Sequence, residues 1–447
     1  MPEKSPPEGR PAGRSPYAPA PSPTRLADAQ RALVGLWSFW RAQRVQWRDP
    51  AKLWAWQGQR LGALVRHAYA TVPFYRRLYD RERVDPAAIH TLADLARLPV
   101  ITKAQLQAEN EDDLLSRSRR KHSLVTALTS GSSGRPFRTY RDPGLERWRA
   151  GYLLRALATA GYRLGDHLLI VVERPERPGT GWTRWRKLTF HDRPDFVLAE
   201  INRLRPTIVY GYVSALRQVV RLAREQGLSV HQPKAVVTVS ETLDPITRQM
   251  LIDSFGAPVF DIYGSIEMGV IAWECEAHHG YHVAEDSVLV ETQPTELGGQ
   301  RLLLTNLHNA AMPLIRYDQA DLAVLGDGAP CPCGRRFQRL EAIQGRVMDS
   351  ILRPDGSHIP PFSLTSVIRE IPGVRRFQIV QDRPELLTAR VESDGPLRAE
   401  IGTRVAQDLA EVLGPGMRIV TEAVATLEPP PGVKFRLVDS RLGRAAD

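Results

Sequence analysis

Thr129-Ser130-Gly131-Ser132-Ser133-Gly134-Arg135-Pro136 is the stretch that decides how this chain folds and what it binds. The preceding residues Leu124–Leu128 are mostly apolar and predict a strand that ends at this stretch. Glycines let successive backbone N–H groups turn toward one anion, and the hydroxyls add donors, so the stretch predicts a phosphate-binding loop. The spacing is not that of a Walker motif, because the glycines are too close and Arg135-Pro136 replaces Lys-Ser/Thr. Taken alone, such a stretch is more often a flexible turn.

The length of 447 residues exceeds what one core fills and predicts two or three domains. A composition of 43% hydrophobic and 25% charged residues is typical of a globular protein. The formal charge of +10 is compatible with nucleic acid, anionic lipid or small anions, but the basic residues are scattered apart from Arg117–Lys121, so no nucleic-acid partner is predicted.

Residues 1–24 contain eight prolines and no apolar run, which predicts a disordered tail rather than a signal peptide. No stretch approaches the ~20 apolar residues of a membrane span, so we expect no transmembrane segment and a cytoplasmic protein. From Thr24 to Tyr75 the apolar spacing predicts helices on which Leu33, Trp37 and Trp40 share one face. Five tryptophans among arginines also fit an interfacial membrane helix, but a helical pair packed on the main domain is the favoured interpretation.

Beyond the loop, apolar β-like runs alternate with helical segments, which predicts an α/β fold with helices covering a sheet. The predicted strands are 167–172, 207–210, 235–239 and 258–262, and the predicted helices are 194–203, 214–226 and 245–255. Alternation at 287–291 and 300–305 predicts antiparallel strands of a small β subdomain. We therefore expect a large multi-layer N-terminal domain at 25–345.

After Gly345-Arg346 the pattern changes to strand (375–380), strand (386–391), helix (396–413) and strand (417–423). About 100 residues is a typical size for a small domain. The sequence thus predicts a C-terminal α+β lid domain at 346–447.

Three further motifs carry candidate functional side chains. The first motif, Tyr263-Gly264-Ser265-Ile266-Glu267, follows a predicted strand and so lies at the end of the sheet where α/β proteins bind ligands. A tyrosine can stack on a ring of the ligand, and a glutamate carboxylate can bind Mg²⁺. Asp318 and Asp321 offer carboxylates for ribose hydroxyls. Lys434 follows Pro429-Pro430-Pro431 and presents a point charge suited to a phosphate. Each motif alone is also compatible with a solvated turn.

Together and in this order, these motifs resemble the adenylate-forming acyl-ligase superfamily, and more closely its phenylacetate–CoA ligase branch and the CapK-type proteins of capsular polysaccharide clusters. The resemblance extends from about Ala63 to Arg436. It implies that an acid and ATP form an acyl-adenylate, and that a thiol then captures the acyl group. The implied substrates and cofactors are a small carboxylic acid, ATP, Mg²⁺ and the thiol of CoA or of a carrier protein; a homodimer is left open.

The resemblance implies a role for each matching residue. Residues Thr129, Ser130, Gly131, Ser132, Ser133 and Gly134 would hold the ATP phosphates. Tyr263, Gly264 and Ser265 would line the nucleotide site with Glu241, Glu267 would hold Mg²⁺, and Asp321 would bind the ribose. Arg346 would stand beside the interdomain hinge, and Lys434 would serve the adenylation step.

The chain departs from the superfamily pattern at Ile266, where a hydroxyl residue is usual, at Val433, where a glycine is usual, and at Asp318-Gln319-Ala320-Asp321. None of these departures removes a charged catalytic group. Two alternatives stay open. The CapK-type resemblance is compatible with adenylation followed by transfer to an amine, a sugar or a carrier protein in a biosynthetic pathway. Ile266 and the Trp/Arg-rich N-terminal helices are compatible with a non-catalytic nucleotide-binding homologue.

The three cysteines, Cys275, Cys331 and Cys333, predict a structural Cys₃His zinc site, since thiolates are soft ligands. His282 is the favoured fourth ligand, because members of the branch carry Gly-x-His after the first cysteine, and His278 is the alternative. Three buried free cysteines are the competing interpretation.

Overall fold

The computed structural model describes residues 25–128, 137–172, 184–189, 192–294, 300–346, 351–356, 358–359, 364, 367–368, 371–393, 399–427 and 435–442. The predicted phosphate loop at 129–134, Lys434 and the proline-rich tail at 1–24 lie outside these residues.

Nine helices lie within the described residues, in addition to short 3₁₀ turns at 86–88, 92–97, 111–113 and 121–123. They are α1 (Arg25–Val45), α2 (Pro50–Thr71), α3 (Pro73–Arg81), α4 (Lys103–Ala108), α5 (Pro143–Thr159), α6 (Pro194–Leu204), α7 (Val213–Glu225), α8 (Pro245–Phe255) and α9 (Ala399–Leu413). Prolines begin several helices because a missing N–H costs nothing in the first turn; at α2, the Asp49 side chain also accepts from the Ala51 N–H. None of these helices combines the length and the apolar character that a membrane crossing requires.

The first helix does not bury the tryptophans that the periodicity placed on its packed face. Trp37 and Trp40 are 51% and 52% exposed. Among residues 34–45 of α1, whose side chains are described, Ser38, Ala42 and Val45 are buried instead, and α1 packs on α5. The two helices approach each other closely, since a Cβ on Gly151 of α5 would lie 2.4 Å from the Ser38 Oγ of α1.

The strands of the N-terminal part form one large mixed sheet and one hairpin. They are β1 (Ile101–Thr102), β2 (Val125–Leu128), β3 (Arg138–Arg141), β4 (Leu168–Val172), β5 (Trp185–Thr189), β6 (Ile208–Tyr212), β7 (Ala235–Val239), β8 (Val259–Ser265), β9 (Gly269–Glu274), β10 (Tyr281–Val283), β11 (Val288–Pro294), β12 (Gln300–Asn306), β13 (Tyr317–Leu325) and β14 (Arg339–Arg346). The hairpin is β2–β3, so a strand does end where the loop at 129 begins.

The large sheet has the order β11-β12-β13-β14-β10-β9-β8-β7-β6-β4-β5, and β1 pairs with β13. Strands β5, β4, β6, β7 and β8 are parallel, whereas β8 to β11 pair antiparallel along this path. The α/β prediction is confirmed. The antiparallel strands β11 and β12, expected in a separate β subdomain, are continuous with the main sheet because β14 pairs with β10.

The central parallel strands β4, β6 and β7 are mostly apolar, which is typical of strands covered on both faces. All five residues of β7 are buried. Helices α6, α7 and α8 lie side by side, and α5 packs against β9. Crossovers of this kind bring the carboxyl ends of β6, β7 and β8 to one edge of the sheet.

The C-terminal part has its own sheet and its own core. Its strands are β15 (Ile351–Leu352), β16 (His358–Ile359), β17 (Val374–Arg383), β18 (Leu386–Ser393), β19 (Arg418–Ala423) and β20 (Val438–Ser440). The sheet order is β19-β18-β17-β20. The apolar residues of α9, including the fully buried Val405 and Leu409, pack in a hydrophobic cluster separate from that of the large sheet. β20, which pairs parallel to β17, has no counterpart in the sequence prediction.

Candidate active site

A cavity of about 320 Å³ lies beyond the carboxyl ends of β7 and β8 and reaches β13 and β14. Its lining includes the predicted site residues Glu241, Tyr263, Gly264 and Asp321, together with Gln319 and Gly345. Open α/β sheets bind ligands at this edge. The structure therefore brings together predicted site residues that are up to 80 positions apart in the chain, Glu241 and Asp321.

Tyr263 and Asp321 form the central contact of the cavity. The Tyr263 hydroxyl donates to Asp321 Oδ2 over 2.6 Å, and Gln319 Nε2 donates to the same oxygen over 2.6 Å. Their strands β8 and β13 are separated by three others in the sheet order, a span of ~19 Å in a flat sheet. The sheet must therefore curl to let the two side chains meet, and the two donors fix the orientation of the buried carboxylate.

Gln319 contributes an acceptor that protein groups do not satisfy. Within the described part of the chain, its Oε1 is buried and has no hydrogen-bond partner. Buried polar atoms are normally paired. Because this oxygen has almost no accessible surface, it is not open to the cavity, and Gln319 contributes to the site through its Nε2 contact with Asp321.

Glu241 joins the cavity to the start of α7. Its two carboxylate oxygens accept from the Ser214 backbone N–H over 2.6 Å and from the Ser214 hydroxyl over 2.9 Å. A carboxylate at a helix N-terminus is stabilised by the unpaired N–H groups and the helix dipole. Glu241 thus connects the segment after β7 to α7.

Gly264, Ser265 and Glu267 belong to the β8–β9 hairpin. β8 continues three residues further than predicted, because Tyr263, Gly264 and Ser265 pair with β9. Gly264 is required by this pairing: a Cβ there would lie 2.6 Å from the Gly269 carbonyl oxygen. Ser265 Oγ accepts from the Met268 N–H, and Glu267 is 7% exposed in the turn.

A buried polar network that the sequence analysis missed lies behind Tyr263. Asp261 accepts from the Thr238 hydroxyl over 2.5 Å and from the Tyr281 hydroxyl over 3.0 Å, and its backbone N–H donates to Glu274. Burial, with the negative Glu274 nearby, raises the pKa of the Asp261 carboxyl to about 7. The sequence does carry a sign of this network: Asp261 interrupts the apolar run Val259–Ile262, and a carboxyl buried in a strand needs polar partners.

Arg248 and His278 complete this network at Glu274. Arg248 donates to both Glu274 oxygens, over 2.7 and 3.0 Å. Burial opposes ionisation of Glu274, yet His278 and Arg248 hold the pKa of this carboxyl below its ordinary value. All three side chains line the cavity.

Backbone strain concentrates around the cavity. Six non-glycine residues in the described ranges have positive φ, and three of them are Ser240 (73°), His278 (50°) and Ala320 (62°). Ser240 and His278 line the cavity, and Ala320 stands between Gln319 and Asp321. Left-handed backbone costs of order 1–3 kcal/mol at a non-glycine residue and is typical of functional sites.

Arg346 is placed beside Asp321 through its backbone. The two residues are paired in the β13–β14 ladder. The side chain of Arg346, like the loop 129–134 and Lys434, lies outside the described atoms.

The cysteines come together in a second site. The ligand atoms of Cys275, His282, Cys331 and Cys333 all lie within 4.8 Å of one another. The Cys275 and Cys331 sulfurs are 3.6 Å apart, and the Cys333 sulfur is 3.2 Å from His282 Nε2. His278, the alternative ligand, points instead toward Glu274 in the cavity, with 3.6 Å between Nδ1 and Oε2.

This cluster fits a tetrahedral zinc ion. Zinc–ligand bonds of ~2.0–2.3 Å put neighbouring ligand atoms ~3.5 Å apart, close to the observed separations. Burial lowers the pKa of His282 to about 4, which keeps the imidazole neutral as ligation requires. His282 Nδ1 faces the Phe337 carbonyl at 3.4 Å, an arrangement that leaves Nε2 for a metal, and the Arg335 N–H donates to the Cys333 sulfur.

The chain is similar to known proteins in sequence and in fold. No family model matches the chain. A phenylacetate-coenzyme A ligase of Aromatoleum evansii is 30% identical over 322 residues, which are 67% of this chain and 72% of the relative. A phenylacetate-coenzyme A ligase of Thermus thermophilus is 29% identical over 396 residues, 80% of this chain and 85% of the relative.

A solved structure of similar fold is a 2-hydroxyisobutyryl-CoA ligase in the postadenylation state in complex with R3-HIB-AMP. It superposes with a TM-score of 0.72 at 22% identity and covers 86% of this chain and 88% of the other. The mixed sheet followed by a small α+β unit is therefore a known fold.

Proposed function

The chain belongs to the phenylacetate–coenzyme A ligase family, and from this premise we propose that it is an AMP-forming acid–CoA ligase. A carboxylic acid and ATP give an acyl-adenylate and pyrophosphate, and the CoA sulfur then displaces AMP to form a thioester. The observation that carries the proposal is the Asp321 carboxylate, oriented by Tyr263 and Gln319 inside a cavity at the carboxyl ends of the strands.

Nucleotide binding follows from the chemistry of these side chains. Carboxylates accept hydrogen bonds from ribose hydroxyls in nucleotide sites, and we assign this role to Asp321. The ring of Tyr263 offers an apolar face to the base. The nucleotide then lies between β8 and the β13–β14 hairpin.

The adenylation step brings two anions together, the acid's carboxylate and the α-phosphate. Catalysis therefore depends on neutralising charge rather than on an acid–base pair. We assign phosphate binding to the loop Thr129–Gly134, a Mg²⁺ ligand to Glu267, and the approaching positive charge to Lys434. Mg²⁺ would reduce the repulsion between the phosphate oxygens and the acid. Arg346, at the end of β14, marks the connection to the C-terminal part.

The Cys₃His cluster is proposed to hold structural zinc. Its four ligands leave no open position of the kind that a catalytic zinc keeps. β9 links the two sites directly, because Glu274 belongs to the cavity network and Cys275 to the cluster. Zinc would therefore stabilise the β9 end that supports the cavity.

Transfer to an amine, a sugar or a carrier protein is the second candidate, favoured by the CapK-type resemblance. The acceptors separate these functions: purified protein is given ATP, Mg²⁺ and a panel of aryl and fatty acids, and then CoA, hydroxylamine or carrier protein. A CoA ligase consumes the adenylate fastest with CoA. Equal rates with CoA and without any acceptor would contradict that assignment.

Lys434→Ala tests the catalytic assignment. The variant should lose pyrophosphate release, because the carboxylate and the α-phosphate would repel each other, and should keep ATP affinity within a few-fold. Arg436→Ala is the neighbouring control. Wild-type pyrophosphate release by the Lys434 variant would refute the role of this lysine, and absence of ATP binding by the wild type would favour a non-nucleotide function.

A further inference from the structure

The outer surface of α1, the turn after it and the start of α2 carry an unusual set of exposed apolar side chains. Eight large hydrophobic side chains are exposed in the described part of the chain, and five of them lie here: Leu36, Trp37, Trp40, Trp47 and Trp54, at 43–52% exposure. We call these five residues the tryptophan face. Scattered exposed hydrophobics are ordinary, but clustered ones mark interaction sites.

The geometry of α1 puts the two tryptophans of this helix on one side. Trp37, Trp40 and Arg44 follow at spacings of three and four residues, which are neighbours on a helix surface. The opposite side of α1 is occupied by the packing of Ser38, Ala42 and Val45. Leu36, Trp37 and Trp40 therefore lie on the side of α1 turned away from its buried residues, although Trp37 also touches Trp148 of α5.

Aromatic and cationic contacts hold the indoles in place. Trp37 packs edge-on against Trp148 of α5 with ring centroids 5.2 Å apart. The Arg44 guanidinium lies 3.6 Å from the centre of the Trp40 ring, and that of Arg335 lies 5.0 Å from the Trp47 ring. The face is thus presented in a fixed form, so little ordering is required when it binds.

The charge of this surface selects its partner. Residues 36–54, which carry the face, contain four basic side chains, Arg41, Arg44, Arg48 and Lys52, and one acidic side chain, Asp49. Glu276, paired with Arg335 beside Trp47, adds a second acid, yet basic groups remain in excess. A second copy of this chain would meet the face with the same sign of charge. The tail at 1–24 has three basic and two acidic residues and offers no complement. The complementary partner is anionic and has an apolar layer beneath its charges.

We propose that the tryptophan face docks the protein on the surface of an anionic lipid bilayer. Indole rings favour the boundary between headgroups and acyl chains, and arginines next to them pair with lipid phosphates. A nucleic acid also offers negative charge but no layer into which Leu36 and four indoles insert. Binding at the surface needs no membrane-spanning helix.

Vesicle sedimentation tests this proposal with the full-length protein. The probes are vesicles of phosphatidylcholine alone and of phosphatidylcholine with phosphatidylglycerol in equal parts. We expect binding to the anionic vesicles at least tenfold tighter than to the neutral ones, falling with salt, with a blue shift of tryptophan fluorescence. Each Lys or Arg near an anionic surface contributes about fivefold, so Arg44→Gln with Arg48→Gln should weaken binding about 25-fold.

Trp40→Ser with Trp47→Ser tests the apolar contribution and should weaken binding at least tenfold. Leu228→Ser, which removes an exposed hydrophobic side chain elsewhere, is the control and should bind like the wild type. Circular dichroism and pyrophosphate release in lipid-free buffer should be unchanged in every variant, which keeps this test separate from the proposed catalysis.

Three results would overturn the proposal: no preference for anionic vesicles, unchanged binding by both double variants, or tighter binding to single-stranded DNA than to vesicles. A dimer in sedimentation velocity that the Trp40/Trp47 variant dissociates, without vesicle binding, would assign the face to self-association instead. If the double variant unfolds, iodide quenching of the wild type with and without anionic vesicles decides: protection of the indoles supports docking, and equal quenching refutes it.

Discussion

Asp321→Asn should weaken ATP binding by one to two orders of magnitude. The Tyr263 hydroxyl and Gln319 Nε2 both donate to Oδ2 over 2.6 Å, so in the variant the amide oxygen must face them. The amide nitrogen then faces the ribose, where an acceptor is needed. A hydrogen bond to a charged group is worth ~1.5–3 kcal/mol, which corresponds to an increase of about 10- to 150-fold in Kd.

Isothermal titration with ATP and with its 2′-deoxy and 3′-deoxy analogues measures this effect. The wild type should bind at least one deoxy analogue more weakly than ATP, whereas Asp321→Asn should bind ATP and that analogue with nearly equal affinity. Asp318→Asn is the control, because this nearby carboxylate pairs with Arg301 over 3.1 Å and does not line the cavity. The control should keep the preference for ATP.

Two results would refute the assignment of Asp321. One is a Kd for ATP that changes less than threefold in Asp321→Asn while the variant remains folded. The other is a wild type that binds both deoxy analogues as tightly as ATP. In either case the Tyr263–Asp321–Gln319 contact would be a structural feature of the curled sheet and not a ribose site.

Three further predictions concern the Cys₃His cluster, the buried carboxyl of Asp261 and the contact between β18 and α7. Cys333→Ser should lower the zinc content measured by elemental analysis and the melting temperature measured by calorimetry. His278→Ala should retain the metal. A full equivalent of zinc in the Cys333 variant would exclude Cys333 as a ligand. Folding raises the pKa of the Asp261 carboxyl, so this group stabilises the protein below pH ~4 and the stabilisation is lost as pH rises through about 7. The urea midpoint of Asp261→Asn should therefore fall less between pH 5 and 8 than that of the wild type. Plots of urea midpoint against pH that run parallel for the two proteins would contradict this. Glu392 of β18 is buried near Arg217 of α7 (3.7 Å), so Glu392→Ala should destabilise the protein by about 3 kcal/mol, and an unchanged urea midpoint would show that this contact carries no stability.

Much of the fold was predictable because apolar periodicity is local. The predicted strand at 235–239 and helix at 245–255 coincide with β7 and α8. Tyr263 and Asp321 were predicted as site residues from their positions after strand-like runs, and both line the cavity. Their direct contact was not predictable, since it depends on the curl of a sheet whose strands pair across long sequence separations.

Two misjudgements have physical causes. Periodicity shows which residues of α1 share a face but not which face is buried. The close contact with α5 buries the small residues Ser38 and Ala42, whereas Trp37 touches Trp148 only at its edge and stays half exposed. Asp261 was overlooked because it stands within a strand, where its partner Tyr281 comes from β10. Residues that act through distant partners carry little signal in the sequence.

The most direct test of carboxylate adenylation is oxygen transfer from the acid to AMP. The acid that best stimulates pyrophosphate release is labelled with ¹⁸O in its carboxyl group and incubated with the protein, ATP, Mg²⁺ and CoA, and the nucleotide products are analysed by mass spectrometry. Attack by the carboxylate on the α-phosphate, followed by thiolysis at the acyl carbon, leaves one carboxyl oxygen on AMP, so AMP should gain a single ¹⁸O. Unlabelled AMP, or ADP as the product, would contradict the proposed reaction.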